Sequence, residues 1–153
     1  MSDVEGQPST PSSDARGTAV RVAVVLVGHG ETASALLRAA TVVAPSGFCD
    51  VWAVDAGAGD SERLAAALDD VLGAIESSTP TVVLLDLPGA SPWQRCLKSL
   101  GGRDDAVMVS GLSLAMLLKV ASVNRDGATA KSVADACVGS AKRATLYQVV
   151  ETD

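Results

Sequence analysis

The chain has 153 residues, 48% of them hydrophobic and only 3% aromatic, with a net charge of −6. This length predicts one domain with a core of Ala, Val and Leu, and the acidic balance disfavours nucleic acids and anionic membrane surfaces as partners. No apolar run is long enough to insert into a bilayer, and the first residues lack the order of a secretion signal. The three cysteines lie far apart without metal-ligand spacing, so reduced thiols, buried as small apolar residues in a cytoplasmic protein, are expected.

Residues 1–20 are rich in Ser, Pro, Gly, Asp and Thr, which predicts a disordered tail ahead of one domain over residues 21–153. Apolar runs and helical periodicities then alternate along the chain. The predicted strands are residues 22–27, 50–55, 81–86 and 106–109. The predicted helices are residues 32–44, 61–75, 91–100, 113–123 and 129–139.

This alternation predicts an α/β fold with a doubly wound, mainly parallel sheet in the order 2-1-3-4 and helices on both faces. Residues 144–150 alternate polar and apolar side chains. That pattern indicates a half-exposed final strand, and it has no crossover helix after it. We therefore expect this strand to pair antiparallel at an edge of the sheet.

The only histidine, His29, follows the first strand and stands between Gly28 and Gly30. The third strand ends in Asp86. Open parallel sheets bind ligands at the carboxyl ends of their strands, where the strand order reverses, and here that point lies between strands one and three. The sequence therefore predicts that His29 and Asp86 approach each other, with the acid fixing the imidazole tautomer and the other ring nitrogen free as a nucleophile.

Two helix starts, one at Gly30–Thr32 and one at Ala90–Pro92, should point N–H groups into the same crevice, so Gly30 is a predicted phosphate-binding residue. Ser91 is expected to cap the second of these helices and to add a hydroxyl group, with Pro92 at the first helical position. A nucleophile, an orienting acid and donors for phosphoryl oxygens are what a phosphohistidine requires.

Three segments carry a resemblance to a known family: residues 25–30 (VLVGHG), 84–93 (LLDLPGASPW) and 109–117 (VSGLSLAML). In this order they resemble the IIA component of the mannose family of the bacterial phosphoenolpyruvate-dependent sugar phosphotransferase system, over roughly residues 20–150. Ala90 stands where that family usually has a second glycine. Ser113 and Ala115 replace its usual Asn and Pro.

The resemblance implies that His29 accepts a phosphoryl group from the phosphocarrier HPr and passes it to a IIB protein, with Asp86 orienting the ring. It assigns the phosphoryl oxygens to the Gly89–Ala90–Ser91 loop, beside the Gly30 turn. It also implies a homodimer in which the last strand is exchanged. No IIB domain follows, so the acceptor would be a separate chain, in sugar uptake or its regulation, and no cofactor or metal is expected.

Two other hypotheses stay open. Residues 27–30 also resemble the opening of small tetrapyrrole metal chelatases, although those usually use a second histidine and this chain has one. A regulatory interaction module that is not phosphorylated is the other alternative, motivated by the loop substitutions. Metal insertion into sirohydrochlorin would favour the first, and partner binding without phosphorylation would favour the second.

Overall fold

The computed structural model describes residues 17–151. Residues 1–16 of the predicted tail lie outside the described residues, and residues 17–20 are exposed without regular structure. The four strands of this region are β1 (Ala23–Gly28), β2 (Val51–Asp55), β3 (Thr81–Leu85) and β4 (Ala106–Ser110). The five helices are α1 (Thr32–Val43), α2 (Ser61–Gly73), α3 (Ser91–Ser99), α4 (Leu114–Ser122) and α5 (Ala130–Ala144).

The sheet has the order β2-β1-β3-β4 and all neighbours are parallel, which confirms the predicted topology. Leu26 in β1 lies opposite Ala53 in β2 and Leu84 in β3. All six residues of β1 are buried, as its continuous apolar run predicts for a central parallel strand. Because every strand runs the same way, the four carboxyl ends meet at one edge of the sheet.

The two faces of β1 belong to two separate cores. Val24 and Leu26 pack with α1, α4 and α5 on one face, while Val25 and Val27 pack with α2 and α3 on the other. Side chains of successive strand residues point to opposite faces, so one apolar strand can serve both layers. Each buried Val or Leu contributes about 1.5–3 kcal/mol relative to an exposed one, and this rigid double layer supports the loops at the carboxyl edge.

Arg125 links the strands at the opposite, amino edge of the sheet. Its side chain is buried, with Nη1 donating to the Val22 carbonyl at 2.7 Å and Nη2 donating to the Gly47 and Cys49 carbonyls at 3.2 and 2.6 Å. Burial lowers the pKa of this guanidinium, but three charge-assisted bonds compensate for its desolvation. The start of β1 and the loop before β2 are thereby held together.

The cysteines follow the prediction of buried, unpaired thiols at two of three positions. Cys96 and Cys137 are buried, and burial raises the pKa of the Cys96 thiol to about 12 and that of Cys137 to about 11. Such thiols are almost entirely protonated at neutral pH and are poor nucleophiles. Cys49 is exposed in the loop before β2, so the expectation of burial is wrong there.

The C-terminal segment differs from the expectation. Helix α5 continues through Gly139, where the predicted helix ends, to Ala144, and residues 145–151 form no strand within this chain. A glycine inside a helix is unfavourable by only about 1 kcal/mol. Lys142 and Arg143 in the last turn favour the helix C-terminus electrostatically. A strand that buries one face in a sheet must pair with a neighbouring strand, and this segment pairs with none among the described residues.

None of the helices within residues 17–151 combines the length and the apolar character that crossing a bilayer requires.

Candidate functional site

His29 stands in a tight turn between β1 and α1. A Cβ atom on Gly28 would lie 2.9 Å from both the Ala33 nitrogen and the Thr32 Cβ, so only glycine lets the helix start this close to the strand. The Thr32 N–H donates to the His29 carbonyl at 3.0 Å and closes the turn. The imidazole is thereby presented at the strand end, with 47% of its side chain exposed.

Gly30 ties the His29 turn to the loop after β2. Its N–H donates to the Gly57 carbonyl, and the Gly57 N–H donates back to the Gly30 carbonyl, both at 3.2 Å. Gly30 has φ +56°, a left-handed conformation that favours glycine. Its N–H is therefore already paired, and the role predicted for it as a donor to phosphoryl oxygens would require this bridge to open.

The structure brings Asp86 directly against His29. The ring Nδ1 lies 3.1 Å from Oδ1 and 3.0 Å from Oδ2 of Asp86, and the His29 backbone N–H donates to Oδ2 at 2.7 Å. The Leu87 N–H donates to Oδ1 at 2.8 Å. An ionised carboxylate only accepts hydrogen bonds, so Nδ1 carries the proton of the neutral ring and Nε2 keeps its lone pair.

Asp86 stays ionised because its donors outweigh its burial. Desolvation raises the pKa of the Asp86 carboxyl. The backbone and side-chain hydrogen bonds from His29, the charge of that ring and the Leu87 N–H together lower the pKa by more than desolvation raises it, so the net pKa is below its ordinary value. The carboxylate is only 16% exposed, whereas the ring is far more open. No residue in the described part of the chain forms a hydrogen bond with Nε2, which is available to a ligand.

The loop after β3 supplies the start of α3 beside this pair. Ala90 is the N-cap with φ −73° and ψ 172°, an extended conformation that alanine adopts without strain, and it offers no side-chain cap. Ser91 is the first helical residue, so its predicted capping role is wrong. The backbone N–H groups of Gly89, Ala90 and Ser91 have no partner within residues 17–151.

His29 and Ser91 line the same cleft, which has a volume of about 130 Å³. The other lining residues are Ala56, Gly57, Gly59, Asp60, Ser61, Leu64 and Pro92. The cleft therefore joins the imidazole to the open helix start of α3 and to the loop that follows β2.

Two aspartates that the sequence analysis did not assign to the site accept N–H groups at the neighbouring helix starts. Asp55, at the end of β2, accepts the Ser34 N–H of α1 at 3.0 Å. Asp60, which directly precedes Ser61, caps α2 by accepting the Glu62 and Arg63 N–H groups at 3.0 and 3.1 Å. The topological argument that finds Asp86 applies equally to Asp55, because Asp55 ends β2, Asp86 directly follows β3, and both strands flank β1.

The fold and this pair of residues define a small α/β protein with a parallel sheet, in which a strand-end imidazole contacts a carboxylate through Nδ1. The family model described as "PTS system fructose IIA component" (EIIA-man) matches residues 23–138. The chain belongs to this family of phosphotransferase-system IIA components. No curated protein matches it.

Solved structures of IIA components share the fold. The chain is similar to phosphotransferase system component EIIA from Streptococcus agalactiae, with 20% identity, a TM-score of 0.71 and coverage of 82% of this chain and 96% of that one. It is also similar to the mannose/sorbose specific IIA subunit from Enterococcus faecalis, with 23% identity, a TM-score of 0.69 and coverage of 87% and 99%. The IIA protein associated with the fucose utilization operon of Streptococcus pneumoniae has 18% identity, a TM-score of 0.64 and coverage of 85% and 95%.

Proposed function

We propose that this protein is a cytoplasmic phosphoryl carrier that accepts a phosphoryl group on His29 from phospho-HPr and passes it to a separate IIB protein, in sugar uptake or its regulation. The observation that carries the proposal is that only one of the two ring nitrogens contacts the carboxylate. Nδ1 is held by Asp86 at 3.0–3.1 Å, and Nε2 forms no hydrogen bond with any residue of 17–151. Membership in the IIA family supports the same role.

This chain neither gains nor loses a proton during the transfer. The Nε2 lone pair attacks the phosphorus in line as the donor's phosphorus–nitrogen bond breaks. The ring becomes cationic, with the Nδ1 proton still donated to Asp86, whose negative charge stabilises that form. Attack by the nucleophile of the acceptor on the same phosphorus reverses the step and restores the neutral ring.

The phosphoryl oxygens are assigned to the loop before α3. The N–H groups of Gly89, Ala90 and Ser91, the Ser91 hydroxyl and the positive end of the helix dipole can all stabilise negative charge there. Asp55 and Asp60 accept N–H groups at the starts of α1 and α2, whereas α3 has no side-chain cap, so we assign the phosphoryl oxygens to α3. Gly30 contributes backbone shape to the turn that holds His29.

The direct test is phosphoryl transfer with the wild-type protein. Incubation with phosphoenolpyruvate, enzyme I and HPr should yield one acid-labile phosphoryl group per chain, assigned to Nε2 of His29 by NMR. Addition of a mannose-family IIB protein should then discharge it. A chain that remains unlabelled while a known IIA protein is labelled under the same conditions would contradict the proposal.

We further propose a homodimer in which residues 145–150 add to the partner's sheet. Four apolar side chains in this segment are 72–90% exposed: Leu146, Tyr147, Val149 and Val150. Strand β4 pairs only with β3 in the described region, so one of its edges is open to another strand. Beside it lies a groove of about 530 Å³, lined in part by Met116, Val138 and Thr145.

This assembly is tested by removing residues 146–153. We expect the full-length chain to be a dimer and the shortened chain a monomer in light scattering coupled to size exclusion, because the exchanged strand carries the exposed apolar side chains. A Tyr147→Lys, Val149→Lys double variant should also elute as a monomer, as the shortened chain does. Dimers that persist in both variants would show that another surface is used.

A further inference from the structure

Among residues 17–151, Asp60 is the only charged residue, other than His29 itself when protonated, that lines the cleft at the imidazole. Its carboxylate stands at the start of α2, where Oδ1 accepts the Glu62 and Arg63 N–H groups. The remaining lining residues are apolar, glycine or serine, and none is a lysine or an arginine. A ligand that binds His29 in this cleft of about 130 Å³ shares it with a negative charge, and no lysine or arginine lines the cleft.

We propose that Asp60 keeps the phosphoryl group on His29 transferable, an inference that rests on the proposed function. A phosphoryl group on a side chain carries about −1.5 to −2 charges at neutral pH. Repulsion by Asp60 raises the free energy of the phosphorylated state without touching the bond that forms. The protein then holds the group less tightly, and passing it on is favoured.

The capping geometry strengthens this effect. A free helix start attracts anions through its unpaired N–H groups and its dipole. Asp60 covers two of those N–H groups on α2 and places a negative charge at the positive end of the dipole. The phosphoryl group consequently meets an attractive helix start at α3 and a repulsive one at α2, which makes Asp60 a positioning residue as well.

Asp60→Asn isolates the charge, because Asn caps a helix as well as Asp does. The equilibrium between phospho-HPr and phospho-His29 should shift toward the phosphorylated chain by about 3- to 10-fold at low ionic strength, and 0.5 M salt should shrink the shift. Phospho-His29 made with phosphoramidate, a small donor that needs no protein partner, should hydrolyse more slowly in the variant by a similar factor.

Glu62→Gln is the matched control, since it removes the same charge two residues further on, outside the cleft. It should change both quantities less than Asp60→Asn does, and equal effects, or none for Asp60→Asn, would overturn the inference. If phosphoramidate fails to modify His29 in the wild type, the inference falls as well. If phosphoramidate modifies His29, HPr does not, and the half-life difference remains, the carrier function fails while the role of Asp60 stands.

Discussion

Replacing His29 with glutamine should abolish phosphorylation by phospho-HPr, with the label falling to background. Glutamine retains the backbone N–H that donates to Asp86 and is similar in size, but it has no nitrogen lone pair that can attack phosphorus. His29 is the only histidine of the chain, so no second imidazole can replace it. The measurement is acid-labile label per chain after incubation with phosphoenolpyruvate, enzyme I and HPr.

Two controls make this result specific. Thermal unfolding should show that His29→Gln remains folded, because the exposed side chain contributes little to the core. The stability of any residual label in alkali separates a phosphohistidine, which survives, from an acyl phosphate on Asp86, which does not. A His29→Gln chain that carries as much acid-labile, alkali-stable label as the wild type would refute the carrier role of this residue.

The sheet and the meeting of His29 with Asp86 could be predicted because both depend on coarse signals. Continuous apolar runs separated by helical periodicity indicate parallel strands, and parallel strands collect their carboxyl ends at one edge. Residues that directly follow neighbouring strands then have little freedom to be anywhere else. The observed Nδ1 to carboxylate distances of 3.0–3.1 Å follow from that constraint.

The details of the helix ends could not be predicted in the same way. Asp60 and Ser61 are adjacent and both are good caps, so local cap preference does not choose between them, and the structure has Asp60 as the cap. Ser91 and Pro92 look like a cap and a first helical residue, yet the helix includes Ser91 and leaves Ala90 as an N-cap without a side-chain acceptor. The N–H groups of this loop have no partner within residues 17–151, and we propose that they bind the phosphoryl oxygens.

The C-terminal segment shows that a local sequence pattern does not establish whether a strand has a partner within the chain. The alternation over residues 144–150 describes a strand only where another strand lies beside it. Within one chain, β4 offers an edge, but the segment leaves α5 at Ala144 and is exposed, without regular structure. The pattern therefore indicates a strand pairing that the single chain does not make, and we propose that a second copy of the chain supplies the neighbouring strand.

Replacing Asp86 with asparagine should slow phosphorylation of His29 by about 100-fold or more. The asparagine oxygen still accepts a hydrogen bond, but an NH₂ group replaces the second carboxylate oxygen. This NH₂ group faces either the ring or a backbone N–H, and that N–H then lacks an acceptor. When the NH₂ donates to Nδ1, the ring proton moves to Nε2 and blocks the lone pair that must attack phosphorus. The variant also loses the negative charge that stabilises the cationic phosphorylated ring.

The initial rate of labelling by phospho-HPr measures this effect. Asp55→Asn is the matched control, because Asp55 likewise ends a strand beside β1 and binds a backbone N–H, that of Ser34, rather than the imidazole. Its labelling rate should stay close to that of the wild type. Equal rates for Asp86→Asn and the wild type would show that the contact with Nδ1 does not govern the reaction.

The same substitution predicts a change in the acid dependence of stability. The pKa of Asp86 is lowered in the folded protein, since its four donor contacts favour the carboxylate over the desolvation that opposes it. A carboxyl whose pKa is depressed on folding stabilises the protein above its unfolded value, and this contribution is lost as the pH falls through the folded value. The free energy of unfolding of the wild type should therefore fall more steeply below the ordinary value of 3.8 than that of Asp86→Asn. Urea unfolding at a series of acidic pH values measures both slopes, and parallel slopes would mean that the carboxylate draws no stability from the histidine it orients.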